Sequence, residues 1–111
     1  MCTILIVDDN QDYLDLCRFG ISYIFKDIKF TQIFTAGNPQ DALKIYYEKV
    51  PQYILTDYHM PSMTGKEFLE TIYKDSEVKK PLKAWIMSSE DLDDLGEIPF
   101  LSKRNILAGA H

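Results

Sequence analysis

The sequence predicts an α/β fold, a doubly wound, five-stranded parallel sheet with helices on both faces. Two observations predict it. Short β-branched, apolar segments alternate with stretches of helical periodicity along the whole chain. The first of these segments, Ile4-Leu5-Ile6-Val7, is apolar at every position, as a strand covered on both faces must be. With 111 residues, 46% hydrophobic and 26% charged, the chain is expected to form one domain over residues 1–111 and to bury enough apolar surface to fold without staples.

Residues 3–7 form the first strand, which ends abruptly in Asp8-Asp9-Asn10. Asn10 is a good N-cap, and Leu14, Cys17, Ile21, Ile24 and Ile28 recur at helical spacing, so a first helix runs to about Asp27 despite Gly20. Residues 30–35 form the second strand. Asn38-Pro39 then offers a cap followed by proline at the first helical position, with Asp41 complementing the helix dipole. That helix runs through Ala42, Leu43, Ile45 and Tyr46 and stops before Pro51. Residues 53–56 form the third strand, which delivers its carboxyl end onto Asp57. After a loop with Pro61 and Gly65, helical spacing returns at Phe68, Leu69, Ile72 and Tyr73, until Lys79-Lys80-Pro81 breaks it. Residues 83–87 form the fourth strand, leading into Ser88-Ser89. Residues 98–101 form the fifth, ending near Ser102-Lys103.

Composition excludes several function classes. Lys plus Arg is 12 against Asp plus Glu 17, a net charge of −5, and basic residues occur in no run longer than a pair, so direct nucleic-acid binding is not expected. Cys2 and Cys17 are too far apart for a redox Cys-x-x-Cys and lack the companions of a metal finger. Free cysteines, apolar runs far below spanning length and an amino terminus unlike a signal peptide give the expectation of a cytoplasmic protein with no membrane contact.

Ligands in open parallel sheets bind at the carboxyl ends of strands, where the strand order switches. Those ends carry Asp8 and Asp9, Asp57, Ser88 and Lys103. Three carboxylates gathered at one sheet edge raise one another's pKa unless a cation neutralises them. An oxygen-rich cluster with no His or Cys ligand favours a hard ion such as Mg²⁺ over zinc. Around one carboxylate, a cation, the Lys103 ammonium and the Ser88 hydroxyl would make a site for the equatorial oxygens of a phosphoryl group in transfer. Taken singly, each piece has a plainer reading: Asp8-Asp9 as a capping turn, Asp57 as a loop carboxylate, Ser88 as a turn residue, Lys103 as a solvated charge. It is their order at the ends of four strands that points to a site.

That order, with Met60-Pro61 and Gly65 behind Asp57, resembles the signature of response-regulator receiver domains of two-component signalling, of the chemotaxis-receiver type, over essentially the whole chain. The resemblance implies a flavodoxin-like receiver fold. It also implies that Asp57 is the phosphoacceptor, that Asp9 binds Mg²⁺ directly and Asp8 through water, and that the backbone carbonyl of His59 completes the protein ligands. Ser88 would hydrogen-bond the phosphoryl oxygen, and Lys103 would pair first with Asp57 and then with the phosphoryl group. Phe100 matches an aromatic position that moves inward in this family, and is equally readable as a core residue. The His59 imidazole is read as a loop group beside the site. A histidine kinase or phosphotransfer protein is the implied donor. The only chemistry implied is self-catalysed aspartyl phosphorylation and dephosphorylation, so no enzyme of external substrates is expected.

Two regions depart from the family pattern. Only residues 89–98 separate the fourth strand from Pro99, too few for a full crossover helix, so the fourth helix is expected to be reduced or absent. Arg104 stands where the family commonly has proline, and residues 104–111 leave about two turns for the last helix. Apolar surface beside the sheet edge would then be covered by a second copy or a partner through residues 92–111, unless Leu92, Leu95, Ile106 and Leu107 fold back. The shortened output face also supports a second function, a receiver-like interaction module independent of phosphorylation. A magnesium-dependent phosphatase is disfavoured, because no acid/base aspartate stands two residues after Asp57.

Overall fold

A computed structural model of the chain describes residues 2–90, 92 and 95–104. Among them strands and helices alternate as β1 (Thr3–Val7), α1 (Gln11–Ile24), β2 (Gln32–Ala36), α2 (Pro39–Lys49), β3 (Tyr53–Asp57), α3 (Gly65–Lys74), β4 (Lys83–Ser88) and β5 (Phe100–Ser102). The strands form one sheet in the order β2-β1-β3-β4-β5, and each neighbouring pair is parallel. The fold is the expected receiver architecture, with no helix between β4 and β5 among the described residues.

Alternation along each strand divides the core in two. Leu5, Val7, Ile54, Ala84 and Ile86 join the cluster that contains Phe68, Leu69 and Ile72 of α3 and Ala42 and Tyr46 of α2. Ile4, Ile6, Leu55, Trp85 and Met87 join the opposite cluster with Tyr13, Leu14, Cys17 and Ile21 of α1. The continuous apolar runs are thus buried on both faces, as a parallel sheet requires.

Polar side chains fix where the helices start. Asn10 Oδ1 accepts from the Tyr13 backbone at 3.2 Å, and Asn38 Oδ1 accepts from Asp41 at 2.8 Å, with Pro39 at the start of α2. Thr64 and Glu67 form a reciprocal capping box at α3. At the far end of α3, the Lys80 ammonium donates to the Ile72 and Asp75 carbonyls, satisfying acceptors that the helix leaves open.

Three expectations shift. Helix α1 stops at Ile24 rather than near Asp27, because Phe25 leaves helical geometry and packs its ring, tilted, 4.4 Å from Trp85. Strand β2 begins at Gln32 rather than Phe30, whose ring instead meets Phe25 and Tyr53 edge-on. Strand β5 begins at Phe100 because Ile98 is tied into a turn with Leu95 before Pro99.

Apolar cover over β4 and β5 is fuller than their connection alone suggested. Trp85 is 7% exposed, under the aromatic group of Phe25, Phe30 and Tyr53. On the other face Leu95 is buried, and Leu92, Ile98 and Phe100 pack against the same core. A cleft of about 310 Å³ remains, lined among others by Leu69, Tyr73, Leu82 and Ile98. The expected last helix and the fold-back of Ile106 and Leu107 lie outside the described residues, apart from Arg104. No helix among the described residues is long and apolar enough to cross a membrane.

Candidate functional site

Strand order switches between β1 and β3: the chain leaves β1 for β2 on one side and crosses to β3 on the other. The two strand ends at that point carry the acidic residues. Asp8 follows Val7, its backbone N–H donating to the Ala36 carbonyl at 3.1 Å, and Asp57 is the last residue of β3, in register with Met87 of β4. Asp8 is fully buried and Asp57 is 5% exposed, whereas Asp9 faces solvent. Carboxylate oxygens of all three lie within 4.8 Å of one another.

Among the described residues one ammonium answers them. Lys103, directly after β5, places Nζ 2.9 Å from Asp8 Oδ2 and 3.3 Å from Asp57 Oδ1. It was expected to pair with Asp57; it pairs with both carboxylates and more closely with Asp8. Asp8 Oδ1 also accepts from the Asn10 backbone at 2.9 Å. Three carboxylates against one ammonium leave a formal −2 when all are ionised, a hole suited to a divalent cation.

The electrostatics show the imbalance. Burial first, then the charge of Asp8, push the Asp57 carboxyl up to about 6, with Lys103 opposing and Asp9 adding to the rise. Burial alone would lower the Lys103 ammonium, but its hydrogen bond to Asp8 and the charges of Asp57 and Asp8 outweigh that and hold it above the ordinary lysine range.

Ser88 closes β4, 1% exposed, and its Oγ accepts from the Glu90 backbone at 3.1 Å. That bond occupies an acceptor lone pair and leaves the hydroxyl proton free to donate. His59 stands two residues beyond Asp57 with an exposed imidazole 3.6 Å from the Glu90 carboxylate, outside the acidic cluster. Phe100 pairs with Ile86 and is partly buried against the core. Behind Asp57 the chain returns so tightly that a Cβ on Gly65 would overlap the Asp57 carbonyl oxygen and lie 3.2 Å from Thr56 Cγ2, while the Gly65 N–H donates to the Tyr58 carbonyl at 2.8 Å.

One residue at the site was not singled out from the sequence. Tyr13, three positions after the Asn10 cap, sets its ring 4.3 Å from Lys103 Nζ and donates its hydroxyl to the Lys103 carbonyl at 3.2 Å. Its sequence signal is only a first-turn position on the inward face of α1, shared with Leu14 and Cys17.

Comparison with known proteins shows the family and the fold. The family model described as response regulator receiver domain matches residues 4–98, a span that takes in Asp8, Asp9, Asp57 and Ser88 and ends before Lys103. The chain is 28% identical over 105 residues to the probable chemotaxis protein CheY of Rhizobium etli, covering 95% of this chain and 78% of that protein. A solved two component transcriptional regulator AraC from Clostridium phytofermentans is 27% identical with a TM-score of 0.74, over 97% of this chain and 87% of that one. The CheY-like receiver domain from Methylobacillus flagellatus shares the fold at 18% identity, with a TM-score of 0.78 over 98% and 92% of the two chains.

Proposed function

The chain belongs to the response regulator receiver domain family, and we propose that it is a signalling switch that takes a phosphoryl group onto Asp57. The donor is a phosphohistidine on a histidine kinase or phosphotransfer protein. The observation that carries this reading is the setting of Asp57: a buried carboxylate at the end of a central strand, with the oxygens of Asp8 and Asp9 close by and Lys103 at 3.3 Å.

The donor atoms suit Mg²⁺, since they are all carboxylate oxygens and their excess charge needs a hard cation. Asp8, Asp9 and Asp57 would hold it, with the His59 backbone carbonyl as a further ligand. When bound, Mg²⁺ would neutralise charge on the phosphoryl oxygens. The remaining work falls to the chain. An Asp57 oxygen forms the new bond to phosphorus as the P–N bond to the donor imidazole breaks, and the imidazole leaves with that electron pair. Lys103 passes from Asp57 to a phosphoryl oxygen, and the Ser88 hydroxyl donates to another. Hydrolysis of the acyl phosphate returns the switch, with no external substrate turned over.

A phosphorylation-independent interaction module would have no use for this arrangement. Carboxylates gathered in excess of their cationic partner cost stability that a bound cation can offset, which supports the phosphoacceptor reading. Phosphoramidate, whose P–N bond stands in for that of phosphohistidine, provides the test. With Mg²⁺ it should load the protein with one hydroxylamine-sensitive phosphoryl group, and EDTA should stop the loading. Equal loading in EDTA would contradict the metal assignment, and no loading under either condition would count against the switch.

A further inference from the structure

We infer that Tyr13 is a positioning residue for Lys103, seating the ammonium on its ring face and tethering the end of β5 through its hydroxyl. The inference rests on the reading of Asp57 as acceptor and Lys103 as its cation.

Lys103 has to be held near two carboxylates and still be available to a third anion. Its flexible four-carbon stem does not impose a position. Strand β5, which leads into it, is three residues long and lies at the sheet edge, so the ladder constrains it on one side only. The carboxylates draw the ammonium toward Asp8, at 2.9 Å against 3.3 Å for Asp57, away from the acceptor.

Tyr13 supplies what these elements lack. Its ring centroid is 4.3 Å from Nζ, within range of a cation–π contact. Its hydroxyl donates to the Lys103 carbonyl at 3.2 Å, joining the first turn of α1 to the end of β5. Tyr13 is itself fixed, 9% exposed and with its backbone N–H on the Asn10 cap. An aromatic face holds a cation without cancelling its charge, so the ammonium stays fully charged for the phosphoryl oxygens while its path between Asp8 and Asp57 is restricted. A carboxylate in the same place would compete with the phosphoryl group.

The test is a double-mutant cycle read as the rate of phosphoramidate loading at saturating donor and Mg²⁺. Tyr13→Leu should slow loading roughly fivefold to tenfold, the size of a partly desolvated cation–π contact. Tyr13→Phe keeps the ring and should recover most of the rate. In a Lys103→Ala background, which removes the ammonium but keeps the backbone carbonyl that the Tyr13 hydroxyl reaches, Tyr13→Leu should lose no more than Tyr13→Phe, because the partner of the ring is gone. The melting shift produced by Mg²⁺ should be unchanged in Tyr13→Leu, since no metal ligand is touched. Tyr13→Met serves as the non-aromatic variant if Tyr13→Leu does not fold. Wild-type rates in the non-aromatic variants, equal slowing by Phe and Leu, or a loss in Leu beyond that in Phe without the Lys103 ammonium would each overturn the inference. If the wild-type protein itself takes no phosphoryl group, the acceptor reading fails and the inference falls with it; a loaded wild type with an equally fast Tyr13→Leu removes this inference alone.

Discussion

As the proposed phosphoacceptor Asp57 would have to be ionised, in a place that disfavours its charge. Its folded pKa of about 6 lies above the ordinary carboxylate value, which the unfolded chain retains. Between roughly pH 4 and 6 the folded state therefore binds more protons than the unfolded one, and this group's contribution to stability falls as pH rises through that window. Above it the penalty is complete, on the order of 3 kcal/mol by the linkage relation. Asp57→Asn, which resembles the protonated side chain, should accordingly stabilise the metal-free protein at pH 7 by up to about that amount and have little effect near pH 4. Denaturant melts in EDTA at both pH values check it; a destabilised variant at pH 7 would contradict the assigned strain. The same imbalance predicts that Mg²⁺ raises the melting temperature more at pH 7.5 than at pH 4.5, and that Asp9→Ala removes most of the rise. Equal Mg²⁺ shifts in wild type and Asp9→Ala would rule out the metal site. At this scale the sequence was informative where chemistry is local, because aspartates at strand ends can be read from an apolar run that stops. It was silent on Tyr13, whose partner Lys103 lies 90 residues away and is brought to it only by the sheet.

At the scale of elements, the β3–α3 junction is the part most closely tied to the site. Gly65 lets the first turn of α3 lie against the Asp57 carbonyl, and any side chain there must displace one from the other. Gly65→Ala should therefore destabilise the fold by about 1–3 kcal/mol, the usual range for overpacking, although alanine is the better helix former. It should also slow phosphoryl loading by moving the strand end. A variant as stable and as fast as wild type would show that the approach is not needed. The starts of α1 and α2 were legible because their caps are local: Asn10 and Asn38-Pro39 bond within three residues of themselves. The end of α1 and the start of β2 were not, since Ile28 keeps helical spacing beyond the true end of α1. What stops α1 is Phe25 packing on Trp85, a contact invisible to any short window.

For the whole molecule, the sheet order β2-β1-β3-β4-β5 is what converts dispersed residues into one site. It sets β1 beside β3, so that Asp8, Asp9 and Asp57 converge. It places β5 at the edge, from which Lys103 reaches back across the end of β4 to them. The alternation of apolar strands and helical segments made this class readable, and the short connection after Ser88 made readable that no full helix would join β4 and β5, as holds among the described residues. Local sequence could not say how the core would be closed there, because the answer lies in Phe25 just past α1, Phe30 before β2 and Tyr53 of β3 meeting around Trp85. This convergence is why Asp57 is proposed as the sole acceptor. The most direct test is the intact mass of wild type and Asp57→Asn side by side, after incubation with acetyl phosphate and Mg²⁺. One added phosphoryl group is expected on the wild type and none on Asp57→Asn; the same gain on both at the same rate would overturn the assignment.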